Sequence, residues 1–355
     1  MTVASEDLRD DDGGLNADGV EQVAESAVPN FELSEALQRV LSWQRQDPGL
    51  RISEMQRLLG GSSRITWICN ATGGDGVSTR LVLRMDPPGV SRPGSLVQEG
   101  QLMTLATNAG APVPNIIMSS DDPGLLGAPF LLMEFVDGYS HPRAILRDKA
   151  LEKLRPQLAG MCGQALAKIH SIPVEEVPWL ATVDVLSQVR TQLDQLGEPH
   201  PVFELAIRQL EATKPASLGT TVVHGDFRNG NLIVGAEGIR GVIDWELSHI
   251  GDPMEDLGWL CVRSWRFGGP GPVGGFGTYN QLIFSYEHAS GRVLDRQLLR
   301  WWELLCSVRW GVMTMMQAQA FRQGTHRSLD TALIGRLVCE VEWDVLALLS
   351  TGRKG

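Results

Sequence analysis

The sequence lacks the features expected of a membrane protein, a disulfide scaffold or a zinc site. No apolar run among its 355 residues reaches the roughly 20 residues that span a bilayer. The N-terminus, MTVASEDLRDDDGG, is acidic where a secretory signal is basic and then apolar. The five cysteines are scattered and include no CxxC pair. These absences predict a protein of the reducing cytoplasm that does not enter a membrane.

Basic charge is also scarce, and the excess of acid lies at one end of the chain. Residues 1–30 hold eight acidic side chains and one arginine, a net charge of −7 that leaves only −4 of the total −11 for the rest. A segment rich in Asp, Gly and Ala has little to bury, so residues 1–30 are predicted to form a disordered acidic tail. The remaining body is not basic enough to predict a nucleic-acid partner.

The order of the predicted elements indicates two lobes. After a helix from about residue 31 to 46, residues 50–138 give about five strands and one helix, at 95–110. Beyond Gly138 the pattern becomes helical, with helices predicted at 149–170, 183–195, 201–213, 254–265, 278–289, 295–321 and 328–349. This predicts an α+β fold with a small strand-rich N-lobe over 31–137 and a larger helical C-lobe over 138–355.

Two segments interrupt that helical pattern. Pro156 is expected to disturb the first turns of the 149–170 helix, because proline lacks the N–H that the helix needs. The segment RFGGPGPVGGFG (266–277) is rich in Gly and Pro and is predicted to be an irregular loop.

The stretch TVVHGDFRNGNLIV (221–234) places polar residues between two strand-like runs. His224-x-Asp226-x-x-x-x-Asn231 has the spacing of the catalytic loop of phosphoryl-transfer enzymes. In such a loop the Asp accepts the proton of the attacking hydroxyl, and the Asn supplies an oxygen to the metal. The strand-like IRGVIDW (239–245) contains Asp244, which is placed to be a second ligand for Mg²⁺. The alternative is a buried polar turn whose side chains bond only the local backbone.

These motifs together resemble the aminoglycoside phosphotransferase and choline kinase branch of the protein-kinase-like fold. The family pattern is HGDxxxxN, then a strand, then a metal-binding Asp, and GDPMEDLGWL (251–260) matches the segment that follows. LVLRMDPPG and PFLLMEFVDG resemble signatures of the kinase domains attached to certain acyl-CoA dehydrogenases. The resemblance spans about residues 35–350. It implies a bilobal kinase-like fold and ATP- and Mg-dependent transfer to a hydroxyl group.

The resemblance implies a role for each residue of the catalytic constellation. Asp226 would be the catalytic base, Asn231 and Asp244 the magnesium ligands, and His224 a structural support of the loop. Glu246 would hold a second metal or orient Asp244, and a merely local salt bridge is an equally open interpretation.

The nucleotide site in the N-lobe is implied in the same way. Gly60-Gly61-Ser62-Ser63 lies between two predicted strands, where kinases of this kind place a turn that covers the phosphates, although ordinary hairpins use the same residues. The third strand carries Arg84 where the family usually has Lys, and we expect it to pair with Glu99. The adenine would lie against the linker, which is Glu134, Phe135 and Val136.

The acceptor is constrained mainly by what its site lacks. Residues 257–286 contain no Asp or Glu, whereas a site for a polycationic aminoglycoside needs carboxylates. The predicted 295–321 helix carries a stripe of large apolar side chains, which are Trp301, Trp302, Trp310, Met313, Met315 and Met316. The stripe is either core packing or a wall that suits an apolar or anionic hydroxyl compound.

Three functional hypotheses follow. The first is an ATP- and Mg-dependent kinase for a hydroxyl group of a small molecule, with an apolar or acyl-CoA-like acceptor. The second is an aminoglycoside-modifying kinase with the same chemistry. The third is a catalytically silent, nucleotide-binding regulator. The presence of Asp226, Asn231 and Asp244 argues against it, because a silent kinase usually lacks at least one of these three residues. The sequence predicts no nucleic-acid or membrane partner and leaves the oligomeric state open.

Overall fold

The computed structural model describes residues 30–58, 64–87, 95–325 and 328–351. Its N-terminal elements are α1 (Asn30–Arg45), β1 (Arg51–Leu58), β2 (Ile65–Thr72), β3 (Ser78–Met85), α2 (Leu96–Asn108), β4 (Ile116–Ser120), α3 (Pro123–Leu126) and β5 (Phe130–Glu134). The five strands form one antiparallel sheet in the order β1-β2-β3-β5-β4. The prediction of a small strand-rich N-lobe is confirmed.

Strand β3 has one face in the core of the N-lobe and an opposite face, which carries Arg84, toward the C-lobe. Leu81 and Leu83 are buried in one cluster with Leu37 and Leu41 of α1. Side chains alternate along a strand, so Arg84 projects from the opposite face. The hydrophobic alternation of STRLVLRM therefore places a cation where the sheet faces the C-lobe.

Helix α2 lies directly against the face of the sheet that carries Arg84. Its N-cap is Ser95, whose hydroxyl accepts the N–H groups of Val97 and Gln98. Gly100 allows the close approach, since a Cβ added there would lie 2.9 Å from Cδ1 of Leu131 on β5. Glu99, one residue earlier, is thereby buried beside β3.

The C-lobe is mostly helical, as predicted. Its elements are α4 (Pro142–Arg147), α5 (Leu158–Ile169), α6 (Val185–Leu196), α7 (Pro201–Ala212), β6 (Thr221–Val223), β7 (Leu232–Gly235), β8 (Gly238–Val242), β9 (His249–Gly251), α8 (Met254–Cys261), α9 (Tyr279–Ser290), α10 (Arg296–Gln323), α11 (Leu329–Ile334) and α12 (Val338–Thr351). Strand β6 pairs with β9, and β7 pairs with β8. No helix in the described ranges is long and apolar enough to cross a membrane.

Three predicted helices are divided, and one of them, predicted at 254–265, is α8 followed by a separate 3₁₀ turn at Arg263–Arg266. The 149–170 segment begins with short 3₁₀ turns at Lys149–Leu151 and Arg155–Gln157, and the α-helix starts only at Leu158. Pro156 causes this break, because it cannot donate the helical hydrogen bond and disfavours helical geometry just before it. The predicted 328–349 helix is two helices, α11 and α12, with Gly335 between them. A Cβ at Gly335 would lie 2.9 Å from Ala318, so glycine lets the chain pass close to α10.

The Trp/Met stripe of α10 is mostly core. Trp302, Trp310 and Met315 are buried, whereas Met316 is 41% exposed. No residue of α10 lines the cleft between the lobes, as far as the structure describes it. The stripe therefore packs mainly in the core and does not form a wall of this cleft.

Candidate active site

The catalytic loop begins where strand β6 ends. Buried Val222 and Val223 carry the chain to His224, and the chain then turns at Gly225, whose φ is +81°. A Cβ at Gly225 would lie 2.3 Å from the carbonyl oxygen of Leu247, so only glycine fits this turn. The turn presents Asp226 to the interior of the molecule.

Asp256 at the start of α8 holds this loop from behind. Its carboxylate accepts the backbone N–H groups of His224 at 2.8 Å and Gly225 at 2.9 Å, and it lies 3.1 Å from Nε2 of His170. Burial alone would raise the pKa of Asp256, but these partners lower it below the usual value. Burial lowers the pKa of His224, whose Nδ1 accepts the N–H of Asp226 at 3.2 Å as a neutral ring.

The carboxylate of Asp226 is held by three different donors. Its Oδ1 accepts the indole N–H of Trp259 at 2.8 Å, and its Oδ2 accepts the amide of Asn231 at 2.7 Å. Nε of Arg228 lies 3.0 and 3.2 Å from the two oxygens. These donors leave the carboxylate one orientation, which a base for a positioned hydroxyl requires.

Asn231 and Asp244 are brought together by the β7–β8 hairpin. The N–H of Ile243 donates to the carbonyl of Asn231 at 3.0 Å, which fixes Asp244 beside the amide. Asp244 has a φ of +68°, a left-handed conformation that is costly outside glycine and that aims its side chain into the cleft. Both side chains line the same cavity.

Asp244 lies close to other carboxylates, those of Glu246, Asp226 and Glu99. The pKa of Asp244 is raised to about 6, chiefly by burial and also by Glu246, Asp226 and Glu99, and Arg84 at 3.6 Å opposes the rise. A carboxylate in such a field is stabilised by a divalent cation. An amide oxygen and a carboxylate are hard ligands that Mg²⁺ accepts, with water and phosphate oxygens completing its shell. The donor set of Asn231 and Asp244 therefore fits magnesium.

Arg84 and Glu99 are in contact, as their positions in the sequence predicted. Arg84 bonds Glu99 and lies 3.6 Å from Asp244, so it stands between α2 and the proposed metal ligand. A second guanidinium, that of Arg64, also bonds Glu99 and lies 3.1 Å from Asp86. Burial lowers the pKa of Arg64, but the two carboxylates outweigh this and raise it above its ordinary value. Two fixed cations thus share one buried carboxylate at the roof of the cleft.

The cleft between the lobes has a volume of about 450 Å³. Glu134, Phe135 and Val136 form one wall, with Arg80 stacked 4.1 Å over the ring of Phe135. The N–H groups of Glu134 and Phe135 are used within the lobe, by the carbonyls of Asn115 and Arg80. Within the described residues the N–H of Val136 has no such partner, so it is the linker donor available to a base.

The glycine-rich segment 266–277 is more ordered than its composition predicted. The side-chain amide of Asn229 donates to the carbonyl of Gly274 at 2.8 Å, and the N–H of Gly274 donates to Leu260 at 3.0 Å. Bridges join residues 271 with 275 and 273 with 277. This segment is tied to the catalytic loop rather than being irregular.

The structure brings most of the predicted site residues to one place. Asn231, Asp244, Glu246, Arg84 and the linker line the cleft, and Asp226 lies directly behind Asn231. The Gly60-Gly61-Ser62-Ser63 turn and residues 1–29 lie outside the described residues. Arg64, Asn229 and Trp259 were not recognised in the sequence, because each acts through a partner that packing brings near. Arg228 was also missed, although its partner Asp226 lies only two residues away.

Comparison with known proteins identifies a family. Residues 54–294, about two thirds of the chain, match the family model described as "Phosphotransferase enzyme family". Mouse acyl-CoA dehydrogenase family member 10 is 32% identical over 203 residues, which are 52% of this chain. The chain covers only 18% of the length of that relative.

Solved structures show the same fold at low identity. A choline/ethanolamine kinase family protein from Mesorhizobium loti has a TM-score of 0.58 at 18% identity, covering 89% of this chain and 95% of its own. A spectinomycin phosphotransferase in complex with ADP and spectinomycin has a TM-score of 0.58 at 15% identity, covering 88% and 98%. These similarities confirm the predicted kinase-like fold.

Proposed function

This chain belongs to the phosphotransferase enzyme family, and we propose that it transfers the γ-phosphoryl group of ATP to a hydroxyl group of a small molecule. One observation carries the proposal. Asp226, Asn231 and Asp244 converge at one end of a cleft whose roof holds the Arg84–Glu99 pair.

In the proposed reaction Asp226 takes the proton of the acceptor hydroxyl. The oxygen of that hydroxyl forms a bond to the γ-phosphorus, and the bond from phosphorus to the β–γ bridging oxygen breaks, leaving its electron pair on ADP. Trp259 and Asn231 hold the two carboxylate oxygens, so that the base faces its substrate without rotating. Positioning of this kind supplies much of the catalysis in phosphoryl transfer.

Asn231 and Asp244 would hold magnesium, which supplies positive charge to the phosphate oxygens. Glu246 lines the same wall of the cleft, close enough to raise the pKa of both Arg64 and Asp244. We propose that it contributes to the same cation site. Arg84 would contact the phosphates while Glu99 keeps its guanidinium extended from β3.

The N–H of Val136, which has no partner among the residues that the structure describes, and the apolar residues of the cleft support binding of a purine base at the linker. The spectinomycin phosphotransferase of the same fold is described with ADP, which supports an adenine nucleotide.

We propose an apolar or anionic acceptor, such as an acyl-CoA-like hydroxyl compound. Near the acid-free segment 257–286, the carboxylate of Glu303 is already engaged by Arg266 at 2.8 Å and by the hydroxyl of Tyr279 at 2.9 Å. It is therefore not available to a polycation. The name of the mouse relative, an acyl-CoA dehydrogenase family member, supports the same class of acceptor.

Two alternative functions are compared with this proposal. Aminoglycoside modification is favoured by the acidic residues Glu134, Asp244 and Glu246 of the cleft, but Arg64, Arg84 and Arg228 balance their charge. A silent nucleotide-binding regulator is disfavoured by the assembled set of base and metal ligands.

The free thiols Cys69, Cys162, Cys261 and Cys306 are buried, which supports the proposed cytoplasmic location.

The test is a screen of ATP consumption with hydroxyacyl-CoAs, aminoglycosides, choline and sugars as acceptors. We expect acceptor-dependent, saturable ADP release with a compound of the first class. ATP binding without release of ADP for any acceptor, and without slow hydrolysis, would favour the silent regulator.

A further inference from the structure

Arg228 holds a position that the assigned roles do not explain. It follows Asp226 by two residues, and its Nε lies 3.0 and 3.2 Å from the two carboxylate oxygens. Its Cζ lies over the ring of Trp265, 4.7 Å from the ring centroid. Nε of the group is therefore used by the proposed base, and the guanidinium also lies against an aromatic ring.

The other edge of the guanidinium is open. Within the described residues no hydrogen bond involves Nη1 or Nη2, although the side chain is only 23% exposed and lines the nucleotide cleft beside Asn231 and Asp244. Gly230, with a φ of +114°, makes this arrangement possible, because a Cβ there would lie 2.7 Å from Nη1. The loop thus reserves space for a guanidinium whose remaining N–H groups face the cleft.

The chemistry of arginine restricts what those N–H groups can do. A guanidinium stays charged at all accessible pH values, so it cannot act as an acid or a base. Its planar pair of Nη groups matches phosphate oxygens, which it can bind in a bidentate manner. A fixed donor aimed at the site where negative charge develops lowers the barrier without reorganising during the reaction.

We infer that Arg228 is a catalytic residue that binds the transferred phosphoryl group, an inference that rests on the proposed function. Its Nε holds Asp226, which receives the proton of the acceptor. Its Nη groups bind the non-bridging oxygens of the γ-phosphoryl group while the new P–O bond forms and the bond to the β–γ bridging oxygen breaks. Arg228 thereby sets the distance between the base and the reacting phosphorus.

The experiment compares Arg228→Met, Arg228→Lys and Arg228→Ala with the wild type. Single-turnover loss of the γ-phosphate from radiolabelled Mg·ATP is measured with and without the best acceptor of the screen, and Mg·ATP affinity is measured by calorimetry. Arg190→Met is the matched control, because Arg190 is 26% exposed and also pairs with a carboxylate, that of Glu204, but lies on α6 outside the cleft.

We expect Arg228→Met to slow phosphoryl loss by about 100- to 1000-fold, the usual effect of removing one donor to developing charge. Mg·ATP affinity should stay within about threefold, a change of less than 1 kcal/mol. Added guanidinium ion should restore part of the rate of Arg228→Ala, and Arg228→Lys should retain part of it. The Arg190→Met control should match the wild type.

Two results would overturn the assignment of Arg228 without affecting the proposed function. The first is an Arg228→Met variant that loses the phosphoryl group as fast as an active wild type. The second is a loss of rate in Arg228→Met that equals its loss of Mg·ATP affinity, with no rescue of Arg228→Ala by guanidinium ion. A wild type that binds Mg·ATP but never loses its γ-phosphate would contradict the proposed function itself, and with it this inference.

Discussion

The indole N–H of Trp259 donates to Oδ1 of Asp226 at 2.8 Å, and both groups are buried. The ring is itself held by Arg309, 4.9 Å over its centroid, and by Trp265 at 5.3 Å between ring centroids. The orientation of the proposed base is thus determined by the packing of α8 and α10 and not only by its own loop.

Trp259→Phe should keep an aromatic ring at this position while it removes the N–H donor together with the pyrrole part of the indole. Loss of one hydrogen bond to a charged group costs about 1.5–3 kcal/mol, so we expect kcat to fall by about 10- to 100-fold with little change in Mg·ATP affinity. Steady-state kinetics and calorimetry check this. Trp301→Phe, which removes an indole donor to the carbonyl of Leu210 far from the cleft, is the control. Equal kcat in the two variants would remove Trp259 from the mechanism.

Asp256→Asn should destabilise the fold. Asp256 accepts the N–H groups of His224 and Gly225 and contacts His170, and an amide cannot accept all of these bonds. The unsatisfied buried donor should lower the free energy of unfolding by about 1–3 kcal/mol at pH 7. Urea unfolding followed by tryptophan fluorescence measures it.

The effect of Asp256→Asn on the free energy of unfolding should depend on pH. The folded-state pKa of Asp256 is lowered, so its stabilisation is present above the ordinary Asp value near 4 and is lost as pH falls through the lower folded value. The stability difference between wild type and Asp256→Asn should therefore narrow in acid. A difference that stays constant from pH 7 to the acid range would contradict this.

Asp244→Ala should weaken Mg²⁺-dependent binding of ATP. Removing a hydrogen-bonded support of a metal ligand costs about 10- to 100-fold in affinity, and removing the ligand itself should cost at least as much. Calorimetry with Mg·ATP, and with ATP in the presence of EDTA, separates the contribution of the metal to binding from that of the nucleotide. If the mutant binds Mg·ATP as the wild type does, Asp244 is not a ligand.

The acceptor is tested by comparing a kanamycin-class aminoglycoside with hydroxyacyl-CoAs at matched concentrations. We expect saturable ADP release with the acyl compounds, because desolvating several ammonium groups without carboxylate partners is costly. A micromolar KM for the aminoglycoside with none for the acyl compounds would leave only the phosphotransferase assignment standing.

Much of this architecture could be predicted because its signals are local. The spacing of Asp226 and Asn231 reflects one loop, and the pairing of Arg84 with Glu99 follows from a strand and a helix adjacent in sequence. Trp259 bonds a residue 33 positions away, and Asn229 bonds one 45 positions away. Such contacts depend on how α8 and the glycine-rich segment pack, which periodicity does not encode.

The division of the last predicted helix has the same origin. Gly335 lies in the turn between α11 and α12, and its close approach to Ala318 is a contact between distant segments that the local pattern does not show. Similarly, the stripe of α10 left core packing and an acceptor wall both open, because amphipathic spacing indicates the apolar face of a helix but not what that face contacts.

The central claim is that Asp226 is the base of a phosphotransferase, and Asp226→Asn tests it most directly. The amide keeps the shape of the group, so the variant should fold and bind Mg·ATP. In a single turnover with radiolabelled ATP and the best acceptor, we expect transfer to fall by about 100- to 10,000-fold, the contribution of a general base. Transfer at the rate of the wild type would contradict the account.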